Sequence, residues 1–325
     1  MKLRLLYPKS LFRIGAELRM ALEQGGVEIA SKADVALHLS TTSDFDPVPD
    51  ARNVLWATDV TTPDLSPGAV ARLRVADAIL ATGSMLRELL MPVTQNCCVL
   101  STIVPLGFAP SAFRPVLRTD APRTQASPLR VLWVGDLDPR GDLGLLGALW
   151  AERFADQPWI TLTVAAPGVK PEHKGNVHFA PTPLAPRSRV SLLRSHHVMV
   201  SFGHLDRAGL TELEALATGL PLVTSAWAPP LDYPLHDCAE VVDYEVDYDR
   251  HGNEVVTANP GELGRRLERV VRNYDDAAWR AFDAVRIRPF AVEPRILDAF
   301  RWPAVIEQLK RALAETLSGD ARAAA

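Results

Sequence analysis

Two carboxylates, Asp206 and Glu214, enclose seven residues in the stretch DRAGLTELEALATGLPLVTS over 206–225. A carboxylate can accept paired hydrogen bonds from neighbouring hydroxyls. A helix N-terminus presents free amides that suit a phosphate. Gly209, Leu210 and Thr211 stand where such a helix would begin, and Gly219 and Pro221 where it would end. The stretch could therefore hold a diphosphate on the amides of Gly209, Leu210 and Thr211, and a ribose on Glu214. A second reading needs no ligand. Thr211 and Glu214 form a Thr-x-x-Glu capping box, with Gly219 as the C-terminal cap. That reading leaves Asp206, Arg207 and Gly209 unexplained.

A second loop, 135–141, also leaves an apolar run and enters a helical one. Gly135 and Gly141 allow close backbone approach, Asp136 follows the first of them, and Arg140 could grip a phosphate in two-point fashion. The plain alternative is a tight turn with a solvated arginine. Nearer the N-terminus, Lys9, Ser10 and Arg13 follow the first apolar run, and Asp59 follows the run NVLWAT. These four could face an acceptor or simply be solvated. His38 could be a partner or structural, and His196 and His197 read as ordinary edge residues ahead of a strand.

The elements that must carry these residues alternate. Strands are expected at 3–7, 35–40, 53–58, 78–82, 130–135, 160–166, 176–180, 197–202, 220–225 and 239–244, with CVLSTIVPLG (98–107) closing the first half. Helices are expected at 12–24, 66–76 with Ser66 as N-cap, 84–90, 142–154, 187–195, 211–219, 260–274 and 293–317. Such alternation builds parallel βα units. A proline-rich stretch, 109–128, interrupts it and has linker composition. Two Rossmann-like halves follow, with a cleft between them and ligands outside the carboxyl ends of the strands.

The 325 residues are 47% hydrophobic and 23% charged with a net charge of −4, which suits a soluble two-domain protein and gives no electrostatic footprint for nucleic acid or an anionic membrane. Three cysteines, Cys97, Cys98 and Cys238, have no metal-type spacing and fit a reduced, cytoplasmic setting. The opening MKLRLLYPKS is too short for a signal-peptide core, and no run spans a bilayer, so no stable membrane anchor is expected.

Four segments in order resemble the GT-B glycosyltransferases of family 4: IVPLGFAPSAFRP (103–115), RVLWVGDLDPRG (130–141), SFGHLDRAGLTELEALATGLPLVTS (201–225) and AFRWPAVIEQL (299–309). The likeness covers most of residues 98–310. In the N-terminal half it rests on VADAILATGSMLREL (75–89) and the order of elements. It implies an α/β, GT-B fold: two Rossmann-like domains facing a central cleft, with a C-terminal helix crossing back to the first. The expected division is an acceptor domain over 1–115, a linker over 116–128, a nucleotide-sugar domain over 129–292, and the crossover helix and tail over 293–325.

The resemblance implies a retaining transfer of a sugar from a nucleotide-diphosphate sugar to an acceptor hydroxyl. Glu214 falls on the family glutamate that holds the ribose. Asp206 falls on the glutamate near the transferred sugar and is one methylene shorter. Arg140 falls near the lysine that neutralises the diphosphate, with Gly135, Gly209, Leu210 and Thr211 along the donor. Asp136 stands where the family has an arginine, and Arg207 is the expected compensating cation. Asp59 is placed with Asp206 as catalytic, and Lys9, Ser10 and Arg13 on the acceptor side, though the family's Gly-Gly there is reduced to Gly15. No cofactor and no metal are expected, because Arg140, Arg207 and helix amides would meet the diphosphate charge. The acceptor is left open among a small molecule, a glycan and a modified nucleic-acid base. The rival readings are a catalytically degenerate GT-B binding protein and a DNA-base-modifying glycosyltransferase.

Overall fold

The structure is a computed structural model that describes residues 1–58, 67–97, 100–109, 112–113, 125–135, 137, 143–182, 186–201, 209–226, 239–248, 254–274 and 297–318. The chain forms two compact units, one made of Met1–Ala109 with Asp298–Ala325 and one of Pro110–Leu297. Residues 116–124 of the expected linker, and Ser66, lie outside the described residues.

The first unit holds β1 (Lys2–Leu6), β2 (Glu28–Ile29), β3 (Val35–Ser40), β4 (Arg52–Ala57), β5 (Ala78–Ala81) and β6 (Leu100–Ile103). They form one parallel sheet in the order β2-β1-β3-β4-β5-β6. Every residue of β3 and β5 is buried, as expected of strands covered on both faces. Helices α1 (Phe12–Gln24), α2 (Pro67–Leu73) and α3 (Ser84–Cys97) connect them. The third was expected to stop at residue 90. It continues through Pro92 because Val93 and Thr94 are still buried against the unit's core.

The C-terminal helix, here labelled α8 (Trp302–Ser318), belongs to this first unit, as the crossover expectation required. Two glycines let it in. A Cβ on Gly107 would sit 2.5 Å from the Trp302 ring, and one on Gly25 would sit 2.8 Å from Ile306 Cγ2. Backbone bonds from Phe108 N–H to Phe300 O (3.0 Å) and from Trp302 N–H to Phe108 O (3.2 Å) fasten the entry. Val305, Ile306, Leu309 and Leu313 are then buried.

The second unit holds β7 (Leu129–Val134), β8 (Ile160–Ala166), β9 (Glu172–Lys174), β10 (Val177–Pro181), β11 (Val198–Ser201), β12 (Leu222–Ser225) and β13 (Ala239–Val242). Their order is β13-β12-β11-β7-β8-β10-β9, with only the β9–β10 pair antiparallel. Helices α4 (Leu143–Arg153), α5 (Pro186–Arg194), α6 (Leu210–Ala217) and α7 (Pro260–Asn273) connect these strands, and β14 (Tyr244–Tyr248) pairs with β15 (Glu254–Ala258) as a separate hairpin. The core gathers Trp133, Leu146, Trp150, Leu162, Val200 and Leu267 among others. Helix α7 opens on Asn259, whose side chain accepts from Glu262 N–H at 3.0 Å, with Pro260 at the first position.

Candidate functional site

In open α/β sheets a ligand binds where the strand order reverses, beyond the carboxyl ends of the two strands that flank the reversal. In the second unit the chain starts at β7, runs outward through β8 and β10, then returns to build β11, β12 and β13 on the other side. The reversal lies between the paired strands β7 and β11. Gly135 follows the first and Ser201 ends the second, so both loops singled out by residue type leave the sheet at this point.

Gly135 donates its N–H to Ala165 O at 3.2 Å, and a Cβ there would meet the Trp133 ring at 2.7 Å. Its lack of a side chain thus accommodates a core tryptophan. Asp136 and Arg140 lie outside the described residues, as do Asp206, Arg207 and Asp59.

Helix α6 begins on Gly209, which adopts a left-handed φ of 60° and whose carbonyl accepts from Leu213 N–H at 3.0 Å. The capping box is not formed: the N-cap is Gly209, with no side-chain cap bond. Thr211 lies inside the first turn instead, and its Oγ1 accepts from Arg189 Nη2 at 2.8 Å. Glu214 is fully buried, and its Oε2 accepts from Arg189 Nε. The physical reason is the cost of a buried carboxylate, which a guanidinium offsets and a local amide does not match. The other end of the helix is as expected. Gly219 has φ 72°, its N–H donates to Leu216 O at 2.9 Å, and Leu220 N–H donates to Ala215 O at 3.0 Å, a Schellman pattern.

Three participants escaped the sequence reading. Arg189 on α5 is buried, one helical turn before the buried Leu193; a cation on the apolar face was the signal available. Glu212 is also buried, and Ser201 Oγ donates to its Oε1 at 2.5 Å, tying the end of β11 to the first turn of α6. The structure thus brings Gly209, Leu210, Thr211 and Glu214 together with Arg189, Ser201 and Glu212.

The residues expected on the acceptor side, Lys9, Ser10 and Arg13, follow β1 at the corresponding reversal of the first unit, between β1 and β3. Lys9 and Ser10 form a 3-10 turn, Lys9–Leu11, with Lys9 exposed. Arg13 Nη1 donates to Glu17 Oε1 at 3.4 Å, and Trp302 Nε1 donates to Glu17 Oε2 at 3.4 Å, so Arg13 is linked to the packing of α1 on α8. Gly15 makes room for Tyr7, whose ring would lie 2.4 Å from an added Cβ.

The three histidines singled out in the sequence, His38, His196 and His197, are interior groups. His38 is buried within β3, with Nε2 2.9 Å from Asn53 Oδ1, and burial holds its pKa below the usual value. His196 and His197 are not edge residues: both are buried, because the strand they precede is central in the sheet. His196 Nε2 lies 2.8 Å from Thr163 Oγ1, and His197 Nδ1 accepts from Arg130 N–H at 2.8 Å. Asp44 and Asp46 carry Asp-x-Asp spacing but flank the buried Phe45 on an exposed turn of the first unit. Among the described residues no three His, Cys, Asp or Glu side chains gather as a metal site. Among the same residues no helix is long and apolar enough to cross a membrane.

Comparison with protein-family models and with curated proteins gives no match. Solved structures do match. Anabaena HepE in complex with UDP-glucose superposes with a TM-score of 0.62 over 97% of this chain and 100% of that one, at 13% identity. Sucrose-phosphate synthase from Thermosynechococcus elongatus matches with a TM-score of 0.59, 14% identity, 96% of this chain and 80% of that one. The fold is GT-B. WaaG, a glycosyltransferase involved in lipopolysaccharide biosynthesis, adds a TM-score of 0.55 at 13% identity over 92% of this chain and 99% of that one. In GT-B terms, the site on α6 sits in the second Rossmann-like unit, and the crossover helix of the fold is α8.

Proposed function

We propose that this protein transfers a sugar from a nucleotide-diphosphate sugar to an acceptor hydroxyl, with retention of anomeric configuration. The observation that carries the reading is the start of α6 at the sheet reversal, with a left-handed Gly209 ahead of it and a buried carboxylate, Glu214, one turn inside. The matched structures support it, since HepE was solved with UDP-glucose and with UDP and glucose.

In this reading the amides of Gly209, Leu210 and Thr211 meet the diphosphate and Asp206 the transferred sugar, while Glu214, buried against Arg189 here, turns outward to reach the ribose. Arg140 and Arg207 meet the charge that grows on the leaving group. The anomeric C–O bond to the diphosphate breaks, the acceptor oxygen bonds to the anomeric carbon, and the acceptor proton ends on the departing diphosphate. Asp59, Lys9, Ser10 and Arg13 form the acceptor side. No metal is invoked, so transfer should be unchanged by a chelator such as EDTA; loss of turnover on chelation, restored by a divalent ion, would remove that part of the reading.

One observation favours the catalytically degenerate alternative. Asp136 stands where the resembled family has an arginine, placing an anion beside the expected diphosphate. Calorimetric titration with UDP-, GDP-, ADP- and dTDP-sugars, with Glu214→Ala alongside, tests the donor site. Binding of one nucleotide, lost in the variant, supports it; no binding by any of them rejects it. Donor hydrolysis or transfer then separates an enzyme from a binding protein.

A further inference from the structure

Strand β9 lies at the outer edge of the second sheet and pairs with β10 alone. Gly175 and Asn176 make the turn between them, with Lys174 and Val177 paired on either side. Gly175 supplies the left-handed φ, 60°, that a two-residue hairpin turn needs. Asn176 ties the turn into the unit: its Nδ2 donates to Phe154 O at 2.7 Å, and its Oδ1 accepts from Trp150 Nε1 at 2.9 Å. The register of the hairpin is thereby held in place.

That register sets His173 directly opposite His178. Their ring centroids lie 4.3 Å apart at an interplanar angle of 64°. Side chains alternate between the faces of a strand. Glu172 and Lys174 therefore leave β9 on the other face, where Lys174 Nζ lies 3.3 Å from Glu172 Oε2 and 5.5 Å from the Phe179 ring centroid. The face with the two imidazoles carries neither of these charges. His173 is exposed and His178 half-buried, so solutes reach the pair. Two phenyl rings would pack at this position equally well. Two imidazoles add ring nitrogens, the usual protein donors to Zn²⁺, Ni²⁺ and Cu²⁺.

We propose that His173 and His178 chelate one divalent transition-metal ion of the Zn²⁺ and Ni²⁺ class, and that the ion clips the edge strand β9 to β10. Each imidazole supplies one nitrogen, and water completes the coordination. Once one nitrogen is bound the other is held close to the ion, so the pair binds far more tightly than either ring alone. Mg²⁺ and Ca²⁺, which take oxygen ligands, gain nothing there. Strands β8 and β10 separate β9 from β7, so the ion takes no part in the transfer proposed above, and the two readings stand or fall separately.

The test is calorimetric titration of the full chain with NiCl₂, and with MgCl₂ as control, for the wild type, His173→Gln and His178→Gln. The wild type should bind one Ni²⁺ at the pair and give no binding heat with Mg²⁺. Each single variant should weaken that binding by about a hundredfold while its metal-free melting temperature stays unchanged. Amide hydrogen exchange in β9 should slow on adding Ni²⁺ to the wild type and not to the variants. A wild type that binds no Ni²⁺, or variants that bind it as tightly as the wild type, overturns the proposal. So do two independent sites of which each variant loses one. Binding without slowed exchange overturns the clip. Should His178→Gln melt lower without metal, His173→Gln, at an exposed side chain, decides the matter.

Discussion

Arg189 and His38 are both buried, and their contributions to stability run through charge. Arg189→Met leaves the Glu214 carboxylate buried beside an apolar chain, and the expected loss is about 3–5 kcal/mol of unfolding free energy. Adding Glu214→Leu should recover much of it, and a double-mutant cycle in urea measures the coupling. Single and double variants that lose the same amount would argue against a coupled pair. For His38, burial is the largest cause of a lowered pKa, outweighing the Asn53 hydrogen bond, which raises it. The unfolded chain then binds a proton near the ordinary value of 6.5, while the folded chain binds it only at lower pH. His38 is therefore neutral in the fold above that value, and its share of stability is lost as pH falls below it. Urea midpoints at about pH 7.5 and about pH 5.5 should differ less in His38→Gln than in the wild type. At this scale the sequence was half legible. Glu214 could be found from its place in a loop-helix pattern, whereas Arg189 was marked only as a cation on an apolar helix face, and nothing local names its partners, which lie 25 and 22 residues away.

Glycine carries the next scale, since it decides where helices stop and how closely they approach. Gly219 ends α6 at φ 72°, so Gly219→Ala should cost about 1–2 kcal/mol, read as a shift in the denaturation midpoint without change in slope. Elements with strong patterns were readable. The helix over 12–24 and the strands over 35–40 and 160–166 were assigned to the residue, because each pairs a continuous apolar face with clear ends. Strands β2 and β9 were not, being two and three residues long, with β9 fully exposed and charged. The β14–β15 hairpin was missed although YEVDY alternates apolar and acidic residues, so the period was present in the sequence. The capping box failed for a different reason. A Thr-x-x-Glu spacing is satisfied equally by a cap and by two side chains turned toward one buried arginine.

Each of the two units has its own sheet and its own buried cluster, so melting need not be a single transition. Trp302 is buried against Gly107, and Trp302→Ala should weaken the first unit by about 3–5 kcal/mol. A bound nucleotide at 100 times its Kd should strengthen the second unit by about 2.7 kcal/mol. Differential scanning calorimetry should show the substitution and the ligand acting on different transitions; a single peak moved equally by both would mean that the units melt as one body. The GT-B architecture was the most legible level of all, because four ordered segments and the return of the last helix constrain topology far more than any one residue does.

The return of α8 also orders events in time. A chain emerges from the ribosome N-terminus first, and its parts fold as they are completed. Residues 110–297 make up the whole of the second unit, but the first unit waits for the segment from Asp298 onward, which is synthesised after it. Of the two units, the one begun first is thus the one finished second, and while the second unit is being made the surface that will receive Trp302, Val305 and Leu309 stands open to chaperones.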